Sequence, residues 1–244
     1  MSAHRSSRPV GTVLSREIRD LTKTRSFVIG MVISVIVNVT FIGGIAASAQ
    51  SISELGHQGV AVGALVVAVA GLPIAVAFPL LGSEPMVRDQ STGANVCLLA
   101  TPARPVDLVV ARAVALWLPS AVIGAVMGAA VPLVFIGTGS PLGQSLPVVR
   151  LILSGAIVVP LLFLGLAMLM AELALVFSAD IATAPSYVVG LAVVAGVPIA
   201  SVSAGVDASA PGFFVGSCIV TAVFLLCVIA WAVRLPKEKV AMAQ

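Results

Sequence analysis

Few side chains in this 244-residue sequence are of a kind that does chemistry. Histidine occurs twice, as His4 and His57, and cysteine three times, as Cys97, Cys218 and Cys227. A zinc protease needs a His-Glu-x-x-His pair, and an intramembrane serine protease needs a histidine inside an apolar run to accept the hydroxyl proton. His4 lies in a polar arm and His57 in a short polar stretch, so neither reaction is set up. Glu54 and His57 stand at helical spacing, but two ligands make a weak cation site and a solvated loop is the simpler reading. The cysteines have neither metal-ligand spacing nor an obvious pairing, so free thiols and no metal are expected. A phosphate loop needs Gly-Lys-Ser/Thr. The lysines here, Lys23, Lys237 and Lys239, follow Thr22, Pro236 and Glu238. Without that loop, no ATPase site and no catalytic residue is expected in this chain.

One acid is out of place. Glu172 is the only carboxylate well inside an apolar run. Intramembrane carboxylates are expensive and face a cavity, a partner or a pathway. At about 1.5 Å per residue, Glu172 is roughly 8 Å from the end of its run. Two readings stay open: a structural carboxylate that reaches interfacial water or pairs with an arginine of the polar stretch 84–112, and a pathway or gate residue.

The elements that must hold these residues are membrane helices. The sequence is 59% hydrophobic and 9% charged, with a mean hydropathy of +1.16, where a soluble domain is about one quarter charged. About six apolar runs approach the ~20 residues that cross a bilayer: 26–47, 60–81, 113–136, 151–177, 183–204 and 213–233. The expected fold is an all-α integral membrane bundle of about six transmembrane helices, many interrupted by proline (Pro73, Pro119, Pro132, Pro160, Pro198) and tolerant of it because neighbours can satisfy the freed carbonyls. Small-xxx-small spacings at Gly59/Gly63, Gly124/Gly128 and Gly212/Gly216 favour close helix packing within that bundle. Met168 and Met170 read as filler in the core or toward lipid. The triplet Ala47-Ser48-Ala49 looks like a signal-peptidase site, yet the preceding arm is long and the run exceeds the usual ~7–15 residue core, so this run is expected to stay as a span.

The cations set the orientation. Six precede the first run (Arg5, Arg8, Arg16, Arg19, Lys23, Arg25), three lie between the second and third (Arg88, Arg104, Arg112) and three follow the last (Arg234, Lys237, Lys239). Only Arg150 falls on the opposite side of a six-span chain. The positive-inside rule then places both termini and the stretch 84–112 in the cytoplasm. The net charge of +3 is thus a topology signal rather than a nucleic-acid surface. The organisation is an arm and amphipathic helix over 1–25, a transmembrane domain over 26–233 and a tail over 234–244. From Val10, apolar positions Val13, Leu14, Ile18 and Leu21 recur at helical spacing, with Arg16, Arg19, Lys23 and Arg25 between them. Such a helix can lie in the headgroup layer with its apolar stripe toward lipid.

The stretch 84–112 is the longest polar interruption, a structured elbow of two short helices parted at Thr101-Pro102. Ser91 or Thr92 can cap the first, Pro102 and Pro105 punctuate, and Asp107 suits the first turn of the helix that follows.

Taken together, the basic amphipathic helix with Glu17 and Arg25, the six spans without large outer domains, and the elbow reading Glu84…Gly93…Leu98-Leu99-Ala100-Thr101-Pro102…Arg112 resemble the permease subunits of ABC exporters of the ABC-2 class. Members often carry threonine after that glycine and an acid three positions after it, where this chain has Ala94 and Val96. The resemblance implies that the elbow (Glu84, Arg88, Asp89, Gly93, Leu98, Leu99, Pro102) is a coupling helix seated on an ATP-binding cassette subunit. That subunit would hold ATP and Mg, and the segment around Val10–Arg25 would be a connecting helix. It also implies two permease copies, identical or related, in the cytoplasmic membrane. An interior with few charges favours hydrophobic or amphipathic cargo: a drug, a peptide or a lipid.

Overall fold

The computed structural model describes residues 25–54, 58–77, 104–137, 147–177 and 179–235, together with Gly11, Leu14, Ser15, Arg16, Ile18, Arg19 and Lys23. These residues are helical, with no strand among them. The helices are α1 (Arg25–Glu54), α2 (Gln58–Ala77), α3 (Pro105–Gly137), α4 (Val148–Val176), α5 (Ala179–Ala204) and α6 (Pro211–Arg234). α3, α4 and α6 are each long and apolar enough to cross a bilayer, and α1, α2 and α5 carry the shorter apolar stretches Val28–Gly44, Val62–Val76 and Tyr187–Ser201. In hydrocarbon no water can satisfy a free amide, so helices that bond their own backbone are the stable form. The protein is a membrane protein.

α1 shows the solvent it was built for. Gly30, Ser34 and Asn38, four residues apart and therefore on one face, are buried, whereas Val32, Ile33, Ile36 and Val39 are exposed. A water-soluble helix does the reverse. The outward faces of α5 (Val188, Leu191, Ile199) and α6 (Ile219, Val220, Leu226) are equally apolar.

α3 begins earlier than hydropathy suggests. Pro105 is its first residue, a position where proline's missing N–H is no loss, and Asp107 in the first turn accepts a hydrogen bond from the Arg104 amide at 3.0 Å. The carboxylate thereby reaches back to a donor that the helix leaves unsatisfied. Helix then runs without interruption to Gly137. Residues 105–112 are accordingly the opening turns of a bundle helix, with Asp107 in its first turn as the sequence implies, and Arg112 is buried at 7% exposure; residues 84–103 of the expected elbow lie outside the described residues.

Packing rests on glycine. A methyl added to Gly128 would meet Ala70 Cβ at 2.7 Å and Gly155 Cα at 3.2 Å, one on Gly155 would meet Val66 Cγ1 at 2.9 Å, and one on Gly124 would run into the Ala70 carbonyl oxygen. α2, α3 and α4 therefore approach almost backbone to backbone at one node. Gly165 likewise receives the Phe224 ring, which seats α6 on α4. Gly212 and Gly216 differ: an added methyl would meet nothing within 4 Å. The expectation that this pair packs inside the bundle is thus wrong, because spacing permits close approach without supplying a neighbour. Met168 and Met170 are core residues.

α4 is irregular near the node. Ser154–Val158 form a π-helical turn in which the Val159 amide donates to the Ser154 carbonyl five residues back. Pro160 follows and cannot donate to Ala156, so a local change of hydrogen-bond register relieves a conflict that an α-helix would carry. Across the interface the Trp117 indole N–H donates to the Pro160 carbonyl at 2.6 Å. Trp117→Phe removes that donor and part of a half-buried ring, and should lower stability by about 1–3 kcal/mol. Thermal unfolding in detergent measures this, and an unchanged midpoint would mean that the tie contributes nothing.

At one end of the bundle, Arg150 donates to the Ser209 carbonyl at 2.9 Å, and Asp207 accepts from the Ser209 amide and hydroxyl at 2.8 and 2.7 Å. A methyl on Gly63 would meet the Ser209 amide nitrogen at 2.6 Å. The starts of α2 and α4 and the α5–α6 connection therefore share this end.

Candidate functional site

The buried polar groups of the bundle are few and mostly satisfied locally. Ser120 and Ser201 donate to carbonyls three or four residues back. Glu172 is one exception, with both carboxyl oxygens affected. Its side chain is 0% exposed, one turn before α4 ends at Val176, and neither carboxyl oxygen has a hydrogen-bond partner among the described residues. Its neighbours one turn away and next to it on α4, Met168, Ala171 and Leu175, belong to the larger apolar cluster. Closeness to the helix end is therefore no route to water: the residue points into the packed interface. Nor does it bond to Arg104 or Arg112, the two described arginines of the expected elbow. Arg104 is exposed, and Arg112 is buried on α3.

Sequence reasoning missed a second buried polar pair, Ser34 and Asn38. The Asn38 amide nitrogen donates to the Ser34 carbonyl at 2.8 Å, while Asn38 Oδ1 and Ser34 Oγ have no partner among the described residues. Two polar residues four apart inside an apolar run were the available signal.

The N-terminal segment is helical at each of its described positions, and Leu14 and Ile18 pack against the larger apolar cluster, while Arg16, Arg19, Lys23 and Arg25 are exposed. Leu14 and Ile18, expected toward lipid, lie against the bundle instead, and the other apolar positions of the expected helix, Val10, Val13 and Leu21, lie outside the described residues. That cluster also contains Val228 and Ala232 near the end of α6. Glu17 and the expected coupling residues Glu84, Arg88, Asp89, Gly93, Leu98, Leu99 and Pro102 lie outside the described residues.

A groove of about 340 Å³ opens beside the π turn, walled by Ser154, Val158, Val197, Phe213, Gly216 and Thr221 among others. Its size is that of a small-molecule pocket, and its polar groups are hydroxyls. Comparison with known protein families, with curated proteins and with solved structures finds no match. The described arrangement of an apolar groove, hydroxyls and a buried carboxyl suits binding and conformational change.

Proposed function

We propose that the chain is the transmembrane permease subunit of an ATP-driven exporter of the ABC-2 class, moving hydrophobic or amphipathic cargo. In this reading α1 to α6 are six crossings of the cytoplasmic membrane, both termini are cytoplasmic, and two copies or relatives enclose the pathway. A separate ATP-binding subunit supplies ATP and Mg. The observation that carries the reading is that Leu14 and Ile18 of the basic N-terminal segment pack against the large apolar cluster of the bundle, to which α3 contributes Val109, Ala113, Ala115, Leu116 and Ala121. Packing of that segment on the bundle is what a connecting helix would need in order to pass on a push from a partner. Closure of an ATPase dimer would move α3, and the glycine node would pass the motion to α2 and α4. Arg88→Glu, Asp89→Arg and Leu98→Pro should each lower cargo-stimulated ATP hydrolysis by the purified complex several-fold while leaving helicity unchanged. Unaltered hydrolysis in all three variants would remove the reading.

A second reading is favoured by Glu172 alone: a carrier driven by a proton gradient, for which an unpartnered carboxyl inside the bundle is a usual component. Vesicles holding only this chain, given a pH gradient and no nucleotide, separate the two readings by whether cargo moves.

A further inference from the structure

Two concavities adjoin along α4 and α6. One is the apolar groove beside the π turn. The other, at the end of the bundle, is walled by Pro147, Val149, Arg150, Leu153 and Phe214. Arg150 of the second concavity and Ser154 of the first stand one turn apart on a single face of α4, about 6 Å between their Cβ atoms, so a ligand of lipid length can reach from one to the other along that face. We propose that this composite site holds an anionic phospholipid, with its phosphate at Arg150 and one acyl chain along the groove.

Charge is the first argument. Arg150 is the only arginine or lysine between Arg112 and Arg234. One guanidinium donor is fixed on the Ser209 carbonyl at 2.9 Å, which holds the side chain in place while its fork has further donors to offer a phosphate. Asp207, the acid of this connection, is bonded to the Ser209 amide and hydroxyl. α4 and α6 both begin here with no side-chain cap, so two positive helix ends add to the same field.

Depth is the second. From Phe213 to Thr221 the groove follows α6 for eight residues, about 12 Å, which is most of one leaflet of a hydrocarbon core roughly 30 Å thick. The third is access. A methyl on Gly216 would meet nothing within 4 Å among the described residues, so the groove wall is low at this point and hydrocarbon can enter from the side. The inference concerns binding and stands apart from what drives transport.

The test is a titration of the purified full chain in detergent, read by native mass spectrometry, with phosphatidylglycerol, phosphatidylcholine and glycerol 3-phosphate as probes. Phosphatidylglycerol should bind about five- to tenfold more tightly than phosphatidylcholine, and glycerol 3-phosphate should not compete. Arg150→Gln should erase the preference and Arg150→Lys should keep most of it. Gly216→Leu, whose first added carbon has room and whose longer side chain enters the groove that Gly216 lines, should weaken both lipids by about tenfold. Because Arg150→Gln also removes the tie to Ser209, Arg150→Lys and Gly216→Leu decide the matter if that variant does not fold. Equal affinity for the two lipids, indifference to Gly216→Leu, or competition by glycerol 3-phosphate would each overturn the proposal.

Discussion

Gly124→Leu is expected to prevent the bundle from forming, and Gly124→Ala to destabilise it by about 1–3 kcal/mol, the usual range for forcing an extra carbon into a packed interior. Propensity alone argues the other way, since alanine is about 1 kcal/mol better than glycine inside a helix. Sterics win because the atom in the way is the carbonyl oxygen of Ala70, part of a backbone that yields only if α2 shifts as a whole. Such a shift would also disturb Gly128 and Gly155, which meet each other and α2 at the same node. Gly216→Ala provides the internal control. Nothing lies within 4 Å of its added methyl, so propensity acts unopposed and the variant should gain up to about 1 kcal/mol. Unfolding midpoints in detergent should therefore move in opposite directions for the two alanine variants. A shift of the same sign in both would show that α2 and α3 do not meet at Gly124.

The contrast between these glycines marks how far the sequence could be read. Gly124/Gly128 and Gly212/Gly216 have identical spacing, and a spacing specifies only that one face of a helix is low. What approaches that face is decided by other helices. The helical class and approximate positions of the apolar runs were legible because hydrocarbon leaves the backbone no alternative. Hydropathy drew the third run only from residue 113 because Asp107 and Arg112 count as polar in any average, whereas Asp107 as a first-turn acid already pointed to a helix start near Pro105. One of them closes the helix start and the other is buried by its neighbours. Averaging also hid Ser34 and Asn38, two polar residues among strongly apolar ones. Ser154–Val158 left no periodic signature beyond the proline that follows. For Glu172, counting residues gave its depth along α4 but not its direction around the helix axis, and direction decides whether a carboxyl so near a helix end meets water or protein.

That direction yields the second large prediction: Glu172→Leu should raise stability and, on the permease reading proposed above, abolish cargo movement. A carboxyl that is fully buried with no partner among the described residues carries a desolvation penalty, and measured burials of unsatisfied polar groups in proteins place such penalties at about 1–3 kcal/mol. Leucine is close to glutamate in size and suits the apolar cluster to which its neighbours Met168, Ala171 and Leu175 belong, so the unfolding midpoint should rise by that equivalent. If packing were the residue's whole role, the more stable protein would also work at least as well. Retaining an expensive group inside a core that leucine would fill better is the pattern of a site where activity and stability are opposed. A carboxyl can take up a partner or a proton when the bundle changes shape, and leucine can do neither. Glu172→Gln separates the two ingredients, since it keeps the polarity and shape and loses the ability to ionise. Loss of transport in both variants with a raised midpoint for leucine would place Glu172 in the moving machinery. A leucine variant that transports normally and melts lower would make it a structural residue with a partner in the folded protein.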